Sequence, residues 1–153
     1  MKWAQISSKA ALVVLAAALS GCAGMGGGGP IALRMTGAEE VPPVTTSASG
    51  TGQLRVNEDR SVSGSFKTQG GPFTAAHIHE GAAGQNGPVI IPLTKSGDTD
   101  WVVPAGAKLT DAQHEAFKAG RLYVNFHSAK FKGGEIRAQI RSGSGGSSGR
   151  SGY

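Results

Sequence analysis

Leu122-Tyr123-Val124-Asn125-Phe126-His127, followed past a Gly133-Gly134 pair by Glu135-Ile136-Arg137-Ala138-Gln139-Ile140, decides the fold of this chain. Apolar and other side chains alternate along both runs, the period of a β-strand with one face on a core. Leu122, Val124 and Phe126 share the apolar side with Ile136, Ala138 and Ile140. Tyr123, Asn125 and His127 share the polar side with Glu135, Arg137 and Gln139. The glycine pair between them predicts an antiparallel hairpin. Working outward, Gly52 to Asn57 and Val62 to Lys67 alternate in the same way around a turn at Glu58-Asp59-Arg60. Ile31 to Thr36 predicts a first strand; Ala75 to His79, Pro88 to Leu93 and Trp101 to Val103 predict three more short ones. Val41-Pro42-Pro43-Val44 cannot pair as a central strand and predicts an edge or a crossing loop. One helix is expected, starting at a Thr110/Gln113 capping box with Asp111 near its N-terminus and stopping at Gly120. The pattern predicts an all-β fold: an antiparallel, Greek-key-like β-sandwich or flattened barrel of about eight strands, with one short helix plugging an end or covering an edge.

The chemistry sits on the polar side. Thr74-Ala75-Ala76-His77-Ile78-His79-Glu80-Gly81 places His77 and His79 on one face of a strand, roughly 6.6 Å apart along the backbone. With Ile78 inward, both face the side that carries His127. Three imidazoles that converge suit a borderline metal such as copper or zinc. Asn125, Glu135 and Arg137 share this face, and Glu135 is expected to orient an imidazole from behind. Arg137 argues mildly against a bare cation site and is expected to pair with Glu135 or Glu80. The plainer alternative is that the histidines hydrogen-bond to Asn125 or Glu135 and simply order the strands. His114, on the helix, is read as a surface residue. No Gly-x-Ser-x-Gly, no phosphate-loop Gly-Lys-Ser/Thr and no cysteine nucleophile is present. The Gly81 to Gly87 loop reads as turn punctuation, and Glu39 and Glu40, adjacent in an extended segment, should point apart.

The ends indicate the compartment. Lys2 and Lys9 form a basic region ahead of an apolar run, Ala10 to Leu19, too short to span a membrane. Leu19-Ser20-Gly21-Cys22 then resembles the lipobox of bacterial lipoproteins. That resemblance implies a signal peptide over residues 1–21, cleavage before Cys22 and lipidation of its thiol. It also implies outer-membrane sorting facing the periplasm, since Ala23 rather than Asp follows the cysteine. The alternative is an ordinary secretory peptide with an incidental Cys. Cys22 is the only cysteine, so no intramolecular disulfide is possible. Residues 22–30 read as a Gly-rich tether, 31–141 as one β domain and 142–153 as a disordered Gly/Ser-rich tail. The formal charge of +5 includes Lys2 and Lys9, and no run gathers enough cations for a binding patch. Nucleic acid is not an expected partner.

Four runs in order resemble the CHRD domain, named for chordin. They are Leu33 to Val44 with Glu39-Glu40-Val41-Pro42-Pro43-Val44; Ala76 to Gly81 through Gly87-Pro88-Val89; Leu122 to Ser128; and Gly134 to Ile140. Ala138 departs from the family's usual Gly. The resemblance spans nearly all of residues 31–141 and implies an all-β extracellular domain, standing alone in bacterial members as an exported or lipid-anchored protein. It implies no defined activity, but places all three histidines within the family's own motifs.

The resulting expectation is a lipid-anchored envelope protein that binds copper first, or zinc second, through His77, His79 and His127. The alternative is a metal-free module that docks an envelope protein or a glycan. An enzyme is the least favoured reading. A His-x-His on a β-sandwich is similar to copper–zinc superoxide dismutase, but this chain lacks the disulfide pair and a second His-rich loop.

Overall fold

The computed structural model describes residues 29–143. The expected signal peptide, Cys22, nearly all of the expected tether and the tail beyond Gly143 lie outside the described residues.

The chain forms β1 (Ile31–Thr36), a 3-10 turn (Gly37–Glu39), β2 (Ser49–Val56), β3 (Val62–Gln69), β4 (Phe73–Glu80), β5 (Val89–Pro92), β6 (Thr94–Lys95), β7 (Asp100–Val102), α1 (Asp111–Lys118), β8 (Leu122–Ser128) and β9 (Ile136–Ile140). All nine strands join one antiparallel sheet in the order β5-β4-β8-β9-β1-β2-β3-β7-β6. Its first and last strands are separated in sequence only by Leu93, whose N–H donates to Ala76 O at 2.9 Å, so the sheet is a nearly closed barrel rather than a sandwich. The ninth strand, β6, has two residues, too few for any periodicity to announce it. Both expected hairpins form, β2 with β3 and β8 with β9. The Val41-Pro42-Pro43-Val44 segment crosses outside the sheet, with a cis Val41–Pro42 bond.

Alternation sorts the side chains as expected. Leu122, Val124 and Phe126 of β8 and Ile136, Ala138 and Ile140 of β9 are all buried in the barrel, with Met35, Leu54 and Ile78. Phe126 is its hub: Phe66 of β3, Phe73 of β4 and Trp101 of β7 approach it edge-on at centroid distances of 5.9, 5.8 and 5.8 Å. That geometry is the favoured one for aromatic pairs.

The helix follows its letters. Thr110 Oγ1 accepts from Gln113 N–H at 3.2 Å while Gln113 Oε1 accepts from Thr110 N–H at 2.9 Å, a complete capping box. Ala116 and Phe117 bury its inner face. Thr110→Ala should therefore cost about 1 kcal/mol, read as a lower urea midpoint at unchanged slope. An unchanged midpoint would mean that packing alone holds the helix.

The outer face of β4, β8 and β9 departs from expectation. A polar sheet face was expected, yet Tyr123, Asn125 and Arg137 are at most 2% exposed. The glycine-rich loop 81–88 folds back over it. Arg137 reaches up to that loop, donating to Gln85 O at 2.9 Å, Ala82 O at 3.3 Å and Asn86 Oδ1 at 3.1 Å. Asn86 Nδ2 in turn donates to Val41 O at 2.8 Å, tying the loop to the proline segment. Loop and segment together form a roof, and under it lies the candidate site.

Candidate metal centre

β4 supplies His77 and His79, and β8 supplies His127. In register, His77 lies opposite Asn125, His79 opposite Tyr123 and Ala75 opposite His127. His127 is thus the diagonal neighbour of His77, within reach of its ring. The three rings stand 4.9 to 6.2 Å apart by centroid. One nitrogen from each falls within 4.8 Å of the others, and His77 Nδ1 and His127 Nε2 are only 3.1 Å apart. Two ligands of one tetrahedral ion, each at about 2.1 Å, are separated by roughly 3.4 Å.

Two of the imidazoles are aimed by main-chain carbonyls. His79 Nδ1 donates to Gly87 O at 2.9 Å, and His127 Nδ1 donates to Lys132 O at 2.9 Å. A neutral imidazole has one N–H, so both Nε2 atoms present lone pairs, that of His127 accepting from His77 Nδ1–H at 3.1 Å. That of His79 is buried without a partner. Holding a ligand ring by its far nitrogen is how metal sites fix tautomer and direction. Burial pushes the pKa of all three histidines below the usual 6.5. For His77 the neighbouring His127 and His79 add to the shift, whereas the bonds to Gly87 and Lys132 partly oppose it in the other two. The cluster is therefore neutral at neutral pH, the state a metal requires.

Behind His79 stands a stack that alternation did not foretell. The Tyr123 ring lies 4.8 Å from that of His79 at an interplanar angle of 9°, and the Arg137 guanidinium covers Tyr123's other face at 3.4 Å. Tyr123 Oη accepts from Gly87 N–H at 3.1 Å, so one residue of the roof anchors both the tyrosine and the histidine. Gly87 has no room for a side chain, since a Cβ there would lie 1.6 Å from Glu80 O.

The other expected participants sit elsewhere. Glu135 accepts from Thr46 Oγ1 at 2.7 Å and touches no imidazole; carbonyls do the orienting assigned to it. Arg137 pairs with neither Glu135 nor Glu80, and its bonds go to loop carbonyls, Asn86 and Gln139. Asn125 does lie beside the histidines, its Nδ2 donating to Gly133 O at 3.4 Å. His114 is half-buried against Phe117 on the helix, away from the cluster. Glu39 is exposed while Glu40 turns inward and is 4% exposed. Burial raises the Glu40 carboxyl to about 7, against the opposing pull of Arg137 and of hydrogen bonds from Val41 N–H and Asn125. An acidic residue ahead of a proline pair carries no sign in sequence that it will be buried.

Residues 31–140 match the family model described as the CHRD domain. No curated protein and no solved structure matches the chain.

Proposed function

This chain belongs to the CHRD domain family, and from that premise we propose a lipid-anchored envelope protein that binds a transition metal, copper first and zinc second, through His77, His79 and His127. The observation that carries this reading is the convergence of three neutral imidazole nitrogens within 4.8 Å, two of the rings aimed by carbonyls. A set of nitrogen donors without a thiolate or carboxylate suits copper and zinc better than magnesium or calcium. Three protein ligands leave a position for water or for a partner that receives the metal. The Leu19-Ser20-Gly21-Cys22 run supports the anchor, and Ala23 supports an outer-membrane location facing the periplasm.

The test is elemental analysis of the full chain, purified in detergent without a polyhistidine tag and titrated with copper and zinc. One equivalent should be retained, and His77→Ala should abolish retention with an unchanged circular dichroism spectrum, since His77 lies outside the core. Retention should hold at neutral pH and fall once acid protonates the rings, below the ordinary 6.5. A wild type that retains neither metal would point instead to a metal-free docking module for an envelope protein or glycan.

A further inference from the structure

On the strength of that reading, we propose that Asn125 Oδ1 is a fourth donor to the metal, and that the site accordingly takes a divalent ion in preference to Cu(I). His77 of β4 lies directly opposite Asn125 of β8, with His79 and His127 at the diagonals, four corners of one skewed cross-strand patch. Asn125 occupies the innermost corner at 2% exposure. Its amide has a fixed sense. Nδ2 is turned to Gly133 O and converges with the Glu40 carboxyl over Gly134. A Cβ on Gly134 would meet Glu40 Oε1 at 2.5 Å and Asn125 Nδ2 at 2.6 Å, so this contact needs a glycine there.

With Nδ2 engaged on that side, Oδ1 points the other way and is buried with no partner. His79 Nε2 is also buried with no partner. With His79 Nδ1–H given to Gly87 O, both atoms are acceptors and neither can satisfy the other. An unsatisfied buried polar atom is costly, and one electron-poor centre between them relieves both. A metal ion bound by the histidines would supply that centre. The donor set becomes three imidazoles and one neutral amide oxygen. Oxygen is a hard donor, which suits Zn²⁺ or Cu²⁺, whereas Cu(I) prefers sulfur. Glu40 is the positioning residue: its carboxyl packs beside Nδ2 over Gly134, on the side away from Oδ1.

Co²⁺ is the probe, because its visible bands report ligand identity. The full chain in detergent is titrated with Co²⁺, beside Asn125→Asp and the double variant Glu40→Gln/Asn125→Asp. The double variant keeps one carboxyl and one amide in the buried pair should the single variant fail to fold. A carboxylate in place of the amide adds charge to the ligand set, so affinity should rise about tenfold or more, with a shift of the visible bands. Wild type should also retain Zn²⁺ while a Cu(I)-specific chelator strips Cu(I). Co²⁺ binding by wild type and variants with the same affinity and spectrum would overturn Asn125 as a donor and leave the three-histidine site standing. Retention of Cu(I) in preference to Zn²⁺ would overturn the divalent assignment. No binding of cobalt, copper or zinc by wild type would remove the underlying reading and this one with it.

Discussion

Phe126→Ala should destabilise the domain by about 4 kcal/mol, the largest loss expected from any single truncation in the barrel. The ring has no exposed surface. It is the one aromatic that touches Phe66 on β3, Phe73 on β4 and Trp101 on β7, so it bridges strands from opposite stretches of the sheet order. Truncation removes buried area and three edge-on ring contacts, and leaves a cavity that three fixed strands cannot close. Phe126 also lies between Asn125 and His127 in sequence. Its insertion into the core fixes which way both neighbours point. Urea unfolding of wild type and variant decides it. A loss below about 1 kcal/mol, far under the usual range for a buried phenylalanine, would mean that the ring does not fill the interior.

Glu40→Gln should stabilise the metal-free protein by about 3 kcal/mol at pH 8 and change little at pH 5. Burial lifts the Glu40 carboxyl from 4.5 to about 7. The folded state therefore favours the protonated form, and the stability this group contributes is complete below about 4.5 and lost as pH rises through 7. Above that range wild type must bury a carboxylate that Arg137 only partly compensates; glutamine stays neutral. The histidines act in the opposite direction. Their folded-state pKa values are lowered from 6.5, so their contribution is present above that value and lost as pH falls. With a chelator present, wild-type stability should form a dome in pH. The variant should lose the alkaline limb and keep the acid one. Thermal unfolding between pH 4 and 9 shows which. A gain from Glu40→Gln that does not vary with pH would mean that the carboxyl is ionised and paired throughout.

Side-chain alternation made the barrel wall legible, and with it the face that holds His77, His79 and His127. The capping letters Thr110 and Gln113 fixed the start of the helix in the same way. What covers a face is a different matter, because alternation reports a direction and not a neighbour. The burial of Tyr123, Asn125 and Arg137 depends on a glycine-rich loop returning across three strands, a long-range event with no local signature. Glu40 escaped for the same reason. Glu135, a carboxylate on the correct face, looked like the group to orient an imidazole, but the orienting acceptors are the carbonyls of Gly87 and Lys132. Every residue has a carbonyl, so no letter distinguishes those two.

Because the atoms that aim His79 and His127 belong to the main chain, most side chains around them are free to drift. Lys132 can be exchanged for almost any residue and its oxygen will still face His127. Exposed positions such as Ala83 and Gln85 carry no side-chain duty toward the rings. Gly87 is an exception, since it has no space for a β-carbon. Under saturation mutagenesis the exposed positions of the loops beside the histidines should look permissive, while Gly87, like Gly134, is an intolerant letter as demanding as a ligand. An inventory of polar side chains near the histidines would miss it.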